Sequence, residues 1–356
     1  MAAGAGPHPA AAQPSGVPII DVHVHVVPAR NMTFDAAAAA AVQTMDRFGV
    51  ARSIVMPPPR GREVWFNFDY PDFRATLARH PGRFGFLAGG GSLNVQLHGR
   101  ADPAAVTEAV ARDFAATARR AIGDGAIGFG EMSALHVSLA PEHAYDFVPA
   151  DHPLLLRLAD VAAELDVPID LHMDALAAAR PPPERLARLP NNPPTFPATL
   201  DALEKLLAHN RKARIVWAHG GSDQLGDLTA GRVLALMDGH PNLFMSLRVV
   251  GPAAPARNKL FSGPQLDPDW LSALTRHADR FVIGTDSFYV GPNTPGTAVA
   301  AAFARFNGPK LQATVRFLAL LPRDLAERIA WRNAARIYRI DGVRAPPAPA
   351  PAGRGR

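Results

Sequence analysis

Five short apolar runs along the chain end on side chains that can ligate a metal ion. IIDVHVH carries Asp21, His23 and His25; AIGFGE ends on Glu131, VPIDLH on His172, RIVWAH on His219 and FVIGTD on Asp286. The chain contains no cysteine, so disulfide and thiolate chemistry are excluded and a metal site must use imidazole and carboxylate. Side chains at i, i+2 and i+4 of a strand share one face, so Asp21, His23 and His25 are expected to point the same way, inward if the strand belongs to a barrel. Two imidazoles so spaced can grip one divalent ion. Asp21, one pleat deeper, is placed to accept a hydrogen bond from a ligand imidazole and fix its tautomer; the plain alternative is polar residues solvating a strand end. A lone histidine at a strand tip, such as His172 or His219, is more often a satisfied core or surface residue than a ligand. Four histidines at the tips of strands in one barrel reverse that weighting. Asp286 borders the first strand across the barrel closure, where it can complete the coordination of an ion and take a proton from water, or cap the segment that follows. Glu131 reads as a ligand or bridge for one or two ions, or as a capping or salt-bridging acid.

The elements that must position these groups are visible as alternation. Short β-branched runs predict strands at 18–26, 52–56, 84–88, 125–130, 167–172, 214–219, 242–247 and 281–285. Helical patterns lie between them at 35–48, 70–80, 103–121, 153–165, 198–209, 227–239 and 268–279, with further helices between 297 and 338. Asp151 and Asp267 stand just ahead of a helix with proline in its first turn, the position of a capping acid. Strands that each lead into a helix, without consecutive hairpins, imply parallel pairing by right-handed crossovers. The expected class is therefore α/β, a (β/α)8 TIM barrel with long loops at its C-terminal face. An open doubly wound sheet is disfavoured because His25-Val26-Val27-Pro28 stands where a glycine-rich phosphate fingerprint would be needed. Gly89-Gly90-Gly91-Ser92 lacks the Lys-Ser/Thr of a P-loop and is expected to be a flexible loop. Residues 132–152 and the proline-rich 175–197 are long for βα connections and are expected to form lids or pocket walls.

Composition bounds the rest. The 356 residues fit one barrel over 17–341, flanked by Ala/Pro/Gly/Arg tracts at 1–16 and 342–356 that read as disordered tails. The formal charge is +5, yet the arginines are scattered among acids and lysine is confined to Lys205, Lys212, Lys259 and Lys310, so no nucleic-acid surface is expected. No run approaches the roughly 18 apolar residues of a membrane span, and no signal-like segment opens the chain. A soluble protein is expected, cytoplasmic as written, although an exported mature form would read the same.

The ordered set of DxHxH on the first strand, histidines on the fifth and sixth and aspartate on the eighth resembles the amidohydrolase superfamily. Within it, the set is similar to the amidohydrolase-2 group of metal-dependent hydrolases and aminocarboxymuconate-semialdehyde-decarboxylase-like enzymes. The closing stretch Asn333-Ala334-Ala335-Arg336-Ile337-Tyr338 is similar to the helix that ends those barrels. The resemblance spans about 17–341. It implies that His23, His25, His172 and Asp286 bind a divalent ion, zinc, and that His219 stands beside it as general acid/base or carbonyl polariser. Glu131 departs from the decarboxylase-like pattern and looks more like the strand-4 glutamate of TatD-like hydrolytic barrels, so that the ion count is one or two, with His172 and His219 holding the second. No lysine ends strand 4, so a carbamylated-lysine bridge there is not offered.

Zinc lowers the pKa of its water from about 15.7 to about 7 and so supplies a nucleophile at neutral pH. The implied reaction is hydrolysis of an amide, lactone or ester in a small molecule, with Asp286 receiving the proton and returning it to the leaving group. Decarboxylation of an aromatic or muconate-type acid uses nearly the same residues and is the alternative. Arg248, just past the seventh strand, could clamp a substrate carboxylate or pair with a surface acid. Trp65, Phe66 and Tyr289 could wall the substrate, while Trp217 reads as helix-side packing. His80, His98, His136, His143 and His240 receive no role. A homodimer is implied only by analogy with such barrels.

Overall fold

The computed structural model describes residues 16–29, 31–59, 61, 67–291 and 298–343. The expected tails lie almost wholly outside the described residues, as do Trp65 and Phe66. Eight strands form the core: β1 (Ile19–Val26), β2 (Val50–Val55), β3 in two pieces (Phe84–Phe86 and Ala88–Gly89), β4 (Phe129–His136), β5 (Pro168–Met173), β6 (Arg214–Gly220), β7 (Leu243–Leu247) and β8 (Phe281–Ile283). Every neighbouring pair is parallel, and β8 returns to pair with β1 at Asp21 and Ile283. The two pieces of β3 close the ring. The first pairs with β2 and the second with β4, bridged at Leu87, whose N–H donates to Val55 O at 2.9 Å. A sheet whose last strand returns to its first has no edge, and the chain is a (β/α)8 barrel rather than an open doubly wound sheet.

Two layers of side chains divide the barrel by chemistry. Ile20, Val22, Ile54, Leu87, Val216 and Val282 pack into one buried apolar cluster, closed below by Ala334, Ile337 and Tyr338 of the final helical segment. Each fully buried aliphatic side chain of this kind contributes roughly 1.5–3 kcal/mol. Asn333 fastens the cap: its amide donates to Ala278 O and Phe281 O, both at 2.8 Å. The Asn-to-Tyr stretch noticed in the sequence thus seals the barrel floor, and the ionisable residues lie above it.

Most helices fall where periodicity places them, with local termini explaining the differences. Asp267 caps Pro268–Arg276 by accepting from the N–H groups of Asp269 and Trp270. At Pro153–Leu165 the cap is the His152 imidazole, which accepts from Leu154 N; Asp151 instead pairs with Lys205 at 3.1 Å. The helix predicted from 103 begins at Glu108, capped by Thr107, because Pro103–Ala105 forms a separate 3-10 turn held by Asp102. A short hairpin, Phe261–Ser262 with Gln265–Leu266, interrupts the connection after β7.

The fourth strand departs furthest from expectation. It runs from Phe129 to His136, so Glu131 lies within it, and the first residues of the expected 132–152 loop are strand. The outer half is held by Asp146–Phe147, which pairs antiparallel with Leu135 and His136. Nor is the glycine run after β3 an open loop. A β-carbon at Gly90 would lie 2.3 Å from Pro57 O, and one at Gly91 1.8 Å from Phe68 O, so glycine is needed for backbone to approach backbone. Gly91→Ala is expected to destabilise the protein by about 1–3 kcal/mol through overpacking. Thermal unfolding should show the loss, whereas Gly123→Ala, where a β-carbon meets nothing within 4 Å, should show none; equal melting temperatures for the two variants would refute the packing argument.

Candidate metal centre

Glu131 stands at the middle of the upper layer with four imidazoles around it. Its Oε2 lies 3.4 Å from Nε2 of His23 and 3.4 Å from Nε2 of His25. Its Oε1 lies 2.6 Å from Nδ1 of His172 and 3.4 Å from Nε2 of His219. One oxygen thus faces the β1 pair and the other faces the β5–β6 pair. Asp286 joins the first side, with Oδ1 at 3.4 Å from His25 Nε2.

The imidazoles are aimed from behind. His25 Nδ1 is 3.0 Å from Met56 O, so it carries the proton and leaves Nε2 with its lone pair toward Glu131. His23 Nδ1 lies 3.2 Å from Asp170 Oδ2. The expected brace, Asp21, does not do this work. The β1–β2 register shifts between Asp21 and Val24, which breaks simple alternation, and the Asp21 carboxylate accepts from Thr285 N at 2.9 Å and from Thr285 Oγ1. Asp21 therefore anchors the chain just before Asp286, while Asp170 orients the imidazole. Asp170 had a legible signal: it stands two residues before His172 and repeats the Asp-x-His spacing of Asp21-Val22-His23.

The donor set fits a divalent cation. His23 Nε2, His25 Nε2 and His219 Nδ1 are buried ring nitrogens with no hydrogen-bond partner within the described residues, an arrangement that costs free energy unless something else satisfies them. Two sets of ligand atoms lie within 4.8 Å of one another: His23, His25 and Asp286, and His23, Glu131 and His219. Imidazole and carboxylate donors without thiolate suit zinc, manganese or iron. His172 belongs to neither set and reaches the centre through Glu131 and through His219, whose Nε2 lies 3.0 Å from its Nδ1.

Backbone and electrostatics mark the same residues. His219 and Asp286 hold positive φ, 75° and 54°, a conformation costly for residues with a β-carbon and kept where surrounding structure enforces it. Burial, the largest influence, pushes the Glu131 carboxyl up, but His23 and hydrogen bonds from His172 and His219 draw it well below the usual range. Asp286 behaves alike: burial opposes ionisation, and Lys310, His25 and Arg248 overcome it. Both carboxylates are ionised. Burial followed by the Arg248 charge holds His219 well below the usual imidazole range, so its ring is neutral.

Arg248 pairs with the central Asp286 rather than with a surface acid. Its Nη1 donates to Asp286 Oδ2 at 2.6 Å and its Nη2 to Ser222 O at 3.3 Å. Lys310, which motif reading passed over, donates to Asp286 O from the helix Asn307–Leu320; nothing in its local sequence marks it. A small cleft, with about 30 Å³ of free volume, lies beside His172 and His219 and is lined also by His136, Asp174, Gln224 and Arg248. His136, given no role from sequence, enters because β4 extends to it, and its ring centroid lies 4.7 Å from that of His172. Tyr289 is buried beside β1 and does not face the cleft, and Trp217 packs on the helix side with Nε1 donating to Met173 O.

A family model described as amidohydrolase matches residues 20–340. No curated protein matches the sequence. Among solved structures, the fold is similar to dihydroorotase from Saccharomyces cerevisiae in complex with 5-fluoroorotic acid, at 12% identity and a TM-score of 0.51, over 92% of this chain and 85% of that one. It is also similar to a dihydroxybenzoic acid decarboxylase from Polaromonas sp. JS666 with bound manganese and the inhibitor 2-nitroresorcinol, at 14% identity and 0.47, over 92% and 98%. A third similar structure is amidohydrolase 2 from Bifidobacterium longum subsp. infantis, at 15% identity and 0.42, over 91% and 100%.

Proposed function

Since the chain belongs to the amidohydrolase family, we propose that it is a metal-dependent hydrolase that cleaves an amide, lactone or ester of a small molecule. The observation that carries this reading is the central Glu131, whose two oxygens divide four histidines into two pairs. The proposed ligands are His23, His25 and Asp286 on one side and His172 and His219 on the other, with Glu131 between them, and the proposed ion is zinc. Such an ion supplies Lewis acidity toward a carbonyl and makes water nucleophilic near neutral pH.

The protein's own groups supply the rest. Asp286, ionised and held through Oδ2 by Arg248, accepts a proton from the attacking water and returns it to the leaving group. With a one-ion centre His219 is not a ligand, and its neutral ring bordering the cleft would polarise the carbonyl or exchange a proton with it. Arg248 fixes the direction of Asp286 and borders the place where substrate must lie.

Hydrolysis and decarboxylation separate by isotope. Turnover in 18O-water should place the label in the product acid, with no carbon dioxide released. Stoichiometric carbon dioxide and an unlabelled product would replace the hydrolytic reading with a lyase. Among the described residues no helix is long and apolar enough to cross a membrane.

A further inference from the structure

The loop after β6, residues 221–228, borders the cleft through Ser222, Asp223, Gln224 and Leu228. Four arginines reach it, and two of them are neutralised. Arg180 pairs with Asp227 at 3.2 Å and also donates to Leu225 O. Arg248 donates to Ser222 O while pairing with Asp286. The loop's other acid, Asp223, is consumed internally: it accepts from the N–H groups of Leu225, Gly226 and Leu228 and from the Asn258 amide.

Arg185 and Arg257 are left over. Arg185, from the proline-rich connection after β5, donates to Oε1 of the cleft residue Gln224. Arg257 is joined to Asp223 by two backbone hydrogen bonds, 2.8 and 3.1 Å, and its side chain covers Gly226, where a β-carbon would lie 3.2 Å from Nη1. Both are exposed, and neither has a carboxylate within 4.0 Å among the described residues. Partial desolvation and the charge of Arg257 draw the Arg185 guanidinium below its ordinary value against the opposing pull of Asp174, so the two cations feel one another. Two like charges held together by a hydrogen bond to a neutral amide and by a backbone bridge, with no carboxylate in contact and Asp174 acting only from a distance, can offer N–H groups to an anion.

We infer that Arg185 and Arg257 read an anionic group, a carboxylate or phosphate, on the part of the substrate that projects from the cleft away from the reacting bond. This rests on the proposed reading only in placing the reacting bond at the centre; it assigns the substrate class as anionic small molecules. Two guanidiniums offer parallel N–H pairs to such oxygens, and their exposure limits the gain to roughly tenfold in affinity.

The test reads binding rather than turnover, so it stands whether the reaction is hydrolysis or decarboxylation. Calorimetric titration of the metal-loaded full chain compares straight-chain dicarboxylates from succinate to suberate with their monoamides, at fixed low salt. At the length that spans the cleft, the diacid should bind about tenfold tighter than its monoamide, and added salt should weaken that advantage. The advantage should disappear in the Arg185→Gln/Arg257→Gln double variant and persist in part in Arg185→Lys/Arg257→Lys. Equal binding of diacid and monoamide at every length, or an advantage surviving in the double glutamine variant, overturns the assignment. Loss of the advantage in both double variants alike also counts against it if their melting temperatures have fallen, since the arginines would then be structural.

Discussion

His23→Ala is expected to abolish turnover, by a thousandfold or more in order of magnitude, while leaving the barrel folded. His23 is the one side chain common to both sets of clustered ligand atoms. Its Nε2 is buried and unpartnered, and its Nδ1 is braced by Asp170. Removing it deletes a donor from each set and leaves Glu131 and Asp170 without the imidazole they share. The apolar floor beneath is untouched, because none of its side chains depends on the imidazole. Circular dichroism should therefore report a native barrel, and elemental analysis should report lost metal. Asp286→Asn serves as a companion that keeps shape and removes charge; it should fold normally and be inactive. Near wild-type rates in either variant would remove the centre from its proposed role.

Glu131→Gln should be nearly as damaging, for a reason that distinguishes one ion from two. The amide keeps the size of the carboxyl and its capacity to bond with His172, but it loses the negative charge lying between the four imidazoles. Two cations held by the two histidine pairs would repel strongly in so buried a site, and the Glu131 carboxylate would offset that repulsion. The expected outcome is at most one ion per chain and activity down at least about a hundredfold. Retention of full metal content and rate would show that only the shape of Glu131 matters and that no bridge operates.

What could be read from residues alone was of two kinds. The alternation of apolar runs with helical patterns sufficed for the barrel, because burial on both faces of a parallel strand writes a continuous hydrophobic run and burial on one face of a helix writes a 3.6-residue stripe. The clustering of His23, His25, Glu131, His172, His219 and Asp286 followed from the barrel, since strand tips on one rim converge. Boundaries were less legible. The β4 strand runs on to His136 because Asp146–Phe147 pairs with it, and no local pattern announces a partner that distant.

Only the tertiary structure decided which group supports which. Strict alternation would aim Asp21 at the imidazoles, but a register shift turns it to Thr285 and brings Asp170 from another strand behind His23. Lys310 and Arg248 converge on Asp286 from elements separated from it by tens of residues. Hydrogen bonds and ion pairs depend on direction and on distances of a few ångströms, whereas hydrophobic burial depends on area and periodicity. The sequence by itself therefore determined the barrel and the chemical character of its rim. The pairing of Glu131 with all four histidines, the braces behind them and the approach of Arg185 and Arg257 to the loop after β6 were decided by how the strands and loops register in three dimensions.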